Sequence, residues 1–352
     1  MTRLMQWLAY SSILEPRSHL FELFDSRKYG TVDISMAEQT HNPADYIVPL
    51  NISGLEGRML RLPHQPSGKS PVHHREILFV YGHHSTLERW WGLMEVLSEY
   101  GTVTMPDLPG FGGMDSYYKV GQKPTIDALA DYLAAFIKWR YKHKKVTIAG
   151  MSFGFVVVTR MLQRYPELTH KVDMLVSIVG FAHHQDFTFT RPRYWFYRLG
   201  AGVLSHNPMA WLFRSTLLTR PVLRAAYGRT HNAKNKFAAA TNADEFNAMM
   251  DVEVGLWQKN DVRTHMFTTV QLLTLDNCTK QVNLPVWHVS TENDHFFDHT
   301  VVEQHLRIIF TDFHDAPTTL PNHAPSVIAD AATAAPLLPT VLREALSQPS
   351  EA

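Results

Sequence analysis

Apolar positions first recur at helical spacing, where Leu4, Trp7 and Leu8 share one face of the segment LMQWLAYSSIL, and the pattern then fades to about His41. This predicts a helix resting on the main body, with anchoring to a surface as the alternative. YIVPLNI and RMLRL, joined by a glycine-marked turn from Gly54 to Gly57, read as a hairpin, and the polar stretch Pro63 to His74 reads as a linker. From there the period switches back and forth. The strand-like runs EILFVYG, GTVTMPD, KKVTIAG and MLVSIVG alternate with helical ones: Trp90 to Tyr100, TIDALADYLAAFIKWRY, and a segment from about Phe153. In the second of these, Ile126, Leu129, Leu133, Phe136 and Ile137 form one face, and Thr125 is placed to cap it. Short β-branched runs alternating with helices imply an α/β fold, a mostly parallel central sheet with helices on both faces.

The alternation stops at Gly180. Phe181 to about Phe267 is helical and aromatic, and LPVWHVS resumes the sheet. An insertion of that length between strands predicts a helical cap over the carboxyl edge of the sheet. The expected organisation is an N-terminal helical extension over 1–45, a core over 46–181 and 268–348, and a cap over 182–267.

Composition narrows the classes. With 352 residues, 45% hydrophobic and 19% charged, the chain can bury a large core. Lys+Arg and Asp+Glu are equal at 33 each, so nothing draws the whole molecule to nucleic acid, and any charge argument is local. The one local signal is in the cap. Between Phe187 and Ala243 stand Arg191, Arg193, Arg198, Arg214, Arg220, Arg224, Arg229, Lys234 and Lys236, with no Asp or Glu, interleaved with Tyr194, Trp195, Phe196, Tyr197, Trp211 and Phe213. The plain reading is amphipathic helices whose arginines face water while the aromatics line the underside of the cap. The sharper one is an entrance for an anionic substrate, or peripheral contact with an anionic membrane. The single cysteine, Cys278, excludes an internal disulfide framework, and the absence of a leader-like segment or a spanning apolar run sets cytoplasmic location as the expectation. Oligomeric state stays open.

The chemistry centres on VTIAGMSFGF. Gly150 and Gly154 flank Ser152 where a strand pattern gives way to a helical one, which predicts a sharp turn with the hydroxyl exposed. The backbone N–H of Phe153, at the helix start, would then face whatever the hydroxyl attacks. A serine needs a base, and the base an orienting acid. Asp294, just past the strand in VWHVSTENDHF, and His323, in TTLPNHAPSVIAD, follow in the order Ser, Asp, His. Asp298 and Asp186 remain alternative acids, and His314 and His295 alternative bases. Asp107 reads as a structural acceptor for backbone N–H groups in its turn.

With these features the chain resembles the α/β-hydrolase superfamily from about Tyr46 to Leu346. LFVYGHHS looks like the family's oxyanion loop, with Tyr81 where histidine is more usual, and MPDLPGFGGMD is similar to its D-x-P-G-x-G turn. The resemblance implies the α/β-hydrolase fold, the triad Ser152, Asp294, His323, and an oxyanion hole from the N–H groups of Phe153 and His83. Two residues depart from the pattern: Ser290 and Asn322 stand where glycines usually precede the acid and the histidine.

Gly82, His84, Met151 and His183 are expected to line the substrate pocket. The pairs His83/His84 and His183/His184 are read as polar groups at that pocket or as solvated residues. Neighbours on an extended segment point to opposite sides, so each pair offers one inward metal ligand at most. The expected activity is hydrolysis of a small, apolar carboxylic ester through an acyl-enzyme, with no cofactor or metal. Carbon–carbon bond hydrolysis, acyl transfer and a non-catalytic binding role are the alternatives on the same site.

Overall fold

A computed structural model describes residues 42–66, 75–227, 243–291, 294, 296–319 and 330–349. The expected N-terminal helix, most of the polar linker, His295, Asn322 and His323 lie outside the described residues.

The hairpin forms from β1 (Ile47–Ile52) and β2 (Leu55–Leu62), paired antiparallel with Ile52 opposite Leu55. Its turn is only Ser53 and Gly54, both left-handed at φ 54° and 81°, tighter than the Gly54 to Gly57 turn expected. Gly57 is a strand residue, and its lack of a side chain makes room for Met114. The strands β3 (Arg75–Val80), β4 (Gly101–Pro106), β5 (Val146–Met151), β6 (Val172–Ile178), β7 (Val286–Val289) and β8 (Phe313–Asp315) complete an eight-stranded sheet of order β1-β2-β4-β3-β5-β6-β7-β8. From β4 to β8 all pairings are parallel. The central strands are buried on both faces, as parallel strands covered by helices must be. The helices α1 (Trp91–Ser98), α2 (Ile126–Arg140) and α3 (Phe153–Arg164) follow β3, β4 and β5. Thr125 caps α2 as expected, its hydroxyl accepting from the Ala128 N–H at 3.0 Å. At the other end of the sheet, buried Arg75 pairs with Asp173 at 2.8 Å and donates to the carbonyl of Leu346, tying β3 and β6 to the last helix.

After β6 the chain leaves the sheet. Helices α4 (Arg191–Leu204), α5 (Asn207–Thr216), α6 (Arg220–Tyr227), α7 (Ala243–Lys259) and α8 (Val262–Leu272) intervene before β7. They enclose a second hydrophobic cluster, separate from the main core, built around Phe213, Met250, Trp257, Val262 and Met266. The expected boundary at 267/268 falls inside α8, whose Val262 and Met266 belong to this cluster while Leu272 joins the main core. The inserted helices are pinned to the turn after β4. The Gly112 N–H donates to Asn260 Oδ1 at 3.0 Å, the Asp261 N–H donates to the Gly110 carbonyl at 2.8 Å, and Lys259 pairs with Glu88. Among the described residues, no helix is long and apolar enough to cross a membrane.

Candidate active site

Met151 is the last residue of β5 and Phe153 the first of α3, so one residue must make the whole turn from strand to helix. Ser152 does so at φ 49°, ψ −116°, a conformation that costs an L-residue on the order of 1–3 kcal/mol. Its N–H donates to the carbonyl of Ile178 on β6 at 2.9 Å, which holds the elbow against the neighbouring strand. The flanking glycines are there for packing. A Cβ on Gly154 would sit 2.1 Å from the Val80 carbonyl oxygen, and one on Gly150 would sit 2.7 Å from the Cα of Phe155. Helix and strand can therefore approach closely enough to turn in one residue.

The loop after β3 comes up beside the elbow. A Cβ on Gly82 would lie 3.4 Å from the Cβ of Ser152. The His83 ring packs edge-on against Phe153 with centroids 4.9 Å apart, stacks on His265 of α8 at 4.0 Å, and bonds through Nε2 to Thr268 Oγ1 at 2.8 Å. His84, left-handed at φ 58°, joins this layer from the next position, packing against Trp257 of α7 at 4.1 Å and edge-on to His265 at 5.2 Å. Burial, with His265 alongside, holds the His83 imidazole well below the usual histidine value, and burial alone takes His265 down to about 3. The layer beside Ser152 is thus neutral near pH 7, aromatic, and closed by Phe111. No spacing in the sequence marks His265, Thr268 or Trp257, because only the docking of the inserted helices brings them here.

Asp294 follows β7. The strands are registered so that Met151 lies opposite Ile178 and Ile178 opposite Val289, which puts the ends of β5, β6 and β7 side by side. Asp294 lines a cleft at that edge with Val179, Gly180, His288 and Ser290, and its Oδ1 accepts the N–H groups of Phe296 and Phe297 at 2.8 and 3.3 Å. Beneath it, His288 bonds to Ser177 Oγ at 2.9 Å and is pushed down to about 4 by burial, with His299 nearby. The hydroxyl of Ser290 donates to Asp315 of β8 at 3.1 Å, a use that a glycine there could not supply. His323 lies outside the described residues, but Thr318, five residues before it, bridges to Thr291, three before Asp294.

The competing residues have other partners. Asp186 is fully buried, accepts the N–H groups of Ala182 and His183, and pairs with His305. Asp298 caps the helix α9 (His299–Ile309), accepting from Thr300 and Val301. His314 stacks on Trp287 at the sheet edge and pairs with Asp312. Asp107 is a structural acceptor, but of side chains rather than of the backbone: the Tyr81 hydroxyl and the Arg58 guanidinium donate to it. His183 joins a second cluster, its ring against those of His184 and His305. Among the described residues, no group of three or more His, Cys, Asp or Glu is placed to hold a metal ion.

Several comparisons bear on this arrangement. Over 100 residues, 28% of this chain, the sequence is 33% identical to Protein ABHD8 of Homo sapiens, and the match spans only 22% of that protein's length. Among solved structures, the fold is similar to a protein described as a lipase from Acinetobacter baumannii AYE, with TM-score 0.59 and 15% identity over 91% of this chain and 100% of that one. It is also similar to a protein described as an aryl esterase from Burkholderia cenocepacia, with TM-score 0.55 and 15% identity over 79% of this chain and 91% of that one. The model of the alpha/beta hydrolase fold family matches residues 77–332, from β3 through the elbow and beyond the cleft of Asp294, and the chain belongs to that family.

Proposed function

We propose that the protein is a serine hydrolase that cleaves a carboxylic ester with a hydrophobic acyl or alkyl group. The observation that carries this reading is the strained backbone of Ser152 at the start of α3. A serine kept only to make a turn would be better replaced by glycine, which adopts φ > 0 without that cost. In a nucleophile the strain has a use, since it holds the hydroxyl out of the turn and leaves the first N–H groups of the helix facing the attacked carbonyl.

In this reading His323 takes the proton of Ser152 as Oγ attacks the ester carbon, and Asp294 orients the imidazole and stabilises its charged form. The N–H groups of Phe153 and His83 hold the oxyanion, a role supported by the approach of Gly82 to Ser152. Collapse of the tetrahedral intermediate expels the alcohol, protonated by His323. Water, deprotonated by the same histidine, then releases the acid. Gly82 and Met151, beside Ser152, are assigned to the substrate surface, whereas His84 packs against Trp257 and His183 against His184 and His305. The aromatic layer of Phe111, Phe153 and Trp257 favours an apolar acyl or alkyl chain over a charged one. The relatives described as a lipase and an aryl esterase support an ester as the substrate class. The test is labelling of the purified protein with a fluorophosphonate, with the adduct located by peptide mass spectrometry. Modification of Ser152 that disappears in Ser152→Ala is expected, and a folded protein that stays unlabelled would overturn the reading.

A further inference from the structure

The aromatics of the inserted helices do not all line the underside of the cap, as the plain reading of the sequence expects. On α4, Tyr194 donates to the Leu273 carbonyl at 2.7 Å and Ala201 is buried, so one face is committed to the body of the protein. Trp195, Phe196, Leu199 and Val203 fall within about 100° of arc on the other face. All four are exposed, Trp195 by 53% and Leu199 by 63%. On α5 the same division holds: Ala210 and Phe213 face inward, while Trp211 and Leu212 are 65% and 47% exposed. Other exposed large side chains, such as Trp139 and Ile308, stand singly on other elements.

Two features of this face fit a bilayer surface rather than a protein groove. Its border is basic: Arg191 is exposed beside the arc, and the guanidinium of Arg198 lies 5.4 Å from the Trp195 ring centroid. The stretch from Phe187 to Ala243 carries nine basic and no acidic residues, and on the helices that follow α5 Asp251 pairs with Arg220. Exposed Trp side chains flanked by arginines, with no acidic residue among them, are what an interfacial helix presents to anionic headgroups. We infer that the α4 and α5 face docks the protein on an anionic phospholipid membrane, with Trp195 and Trp211 in the headgroup region. The docking does not depend on the hydrolase reading.

The test is cosedimentation of the full chain with vesicles of phosphatidylcholine alone, and with about a third phosphatidylserine added. Binding to the anionic vesicles is expected, falling at least about 10-fold in the double variant W195A/W211A and on adding about 0.5 M salt. Trp139→Ala, an exposed site elsewhere, should bind as the wild type does. Leu199→Glu, which places a carboxylate in the arc, should bind as weakly as the double variant. Ser152→Ala should bind fully, so the two proposals can fail separately. The inference is overturned by absence of binding, by equal binding of wild type and W195A/W211A, or by a dimer in sedimentation velocity that W195A/W211A dissolves, since the face would then be a contact between copies.

Discussion

The hydroxyl of Tyr81 donates to the fully buried carboxylate of Asp107 across 2.8 Å, and the same oxygen accepts the N–H of Leu108 at 3.2 Å. Arg58 completes the group, bonding to Asp107 Oδ2 at 3.2 Å and to the Gly112 carbonyl at 2.6 Å. The loop that leads to His83 and the turn that anchors Asn260 and Asp261 are thus joined through one phenol. Tyr81→Phe keeps the ring and removes both bonds, leaving a buried carboxylate with one donor fewer and a buried N–H without its acceptor. The expected cost is about 2 kcal/mol, read as a lower midpoint in urea unfolding at unchanged m value. Labelling of Ser152 by a fluorophosphonate should persist in the folded variant.

The close approach at the elbow makes a sharper demand. The carbonyl oxygens of Val80 and Tyr81 lie 2.1 and 2.5 Å from where a Cβ on Gly154 would be. Both belong to backbone and cannot swing away, so Gly154→Ala must separate α3 from β3. Overpacking of this kind costs about 3 kcal/mol, and the variant should unfold at lower temperature or fail to accumulate. Gly200→Ala, where nothing lies within 4 Å, is the matched control and should leave the unfolding temperature unchanged or raise it slightly.

The elbow was legible because everything that makes it is local: a strand pattern ending at Met151, a helical pattern beginning at Phe153, and glycines two positions either side of Ser152. The glycine spacing suggests a longer hairpin turn than the one that forms, because a glycine can serve a distant neighbour. Gly57 accommodates Met114, while the left-handed Ser53 carries no such mark in the sequence. β8 spans only three residues and is fixed by its register with β7, so no period announces it. The layer of His83, His265 and Trp257 depends on how the inserted helices dock, which spacing along the chain does not encode. The outward face of α4 and α5 was hidden for the same reason, since an aromatic in an amphipathic helix looks alike whichever side it takes.

Three histidines, His83, His265 and His288, should weaken the fold in acid, since burial lowers the pKa of all three. His265 is pushed down to about 3 and His288 to about 4 by burial, so both are neutral in the folded chain at mild acidity. In the unfolded chain they protonate near the ordinary value of about 6.5. Below that value the unfolded state binds more protons than the folded one, so stability is full above about pH 6.5 and falls as pH drops toward the folded values. At about pH 4.5 the sites of His265 and His288 should each have lost roughly 2–3 kcal/mol. Urea unfolding from pH 7.5 to 4.5 should show this decline, and His265→Gln, although less stable overall, should show a shallower one. A decline of equal slope in the variant would mean that other groups carry it.

Three carboxylates near the end of the sheet have different partners, and substitution should separate their roles. Asp294 faces the cleft beside the strand ends that adjoin Ser152, with one oxygen occupied by the N–H groups of Phe296 and Phe297. If it orients the catalytic histidine, Asp294→Asn leaves the loop bonds in place but favours the wrong tautomer of the imidazole, and kcat on the best ester of a chain-length series should fall by about 10³- to 10⁴-fold. Asp298 only caps α9, so Asp298→Ala should cost about 1 kcal/mol of stability and leave kcat within about twofold. Asp186 is buried against His305 and two backbone N–H groups, so Asp186→Asn should cost about 2–3 kcal/mol while the protein that remains folded keeps its kcat. Stopped assays across a pH series, normalised to titrated Ser152, measure all three on one scale. Retention of more than about a tenth of kcat by Asp294→Asn, together with a loss of about 10³-fold in Asp186→Asn or Asp298→Ala, would move the orienting acid to that residue.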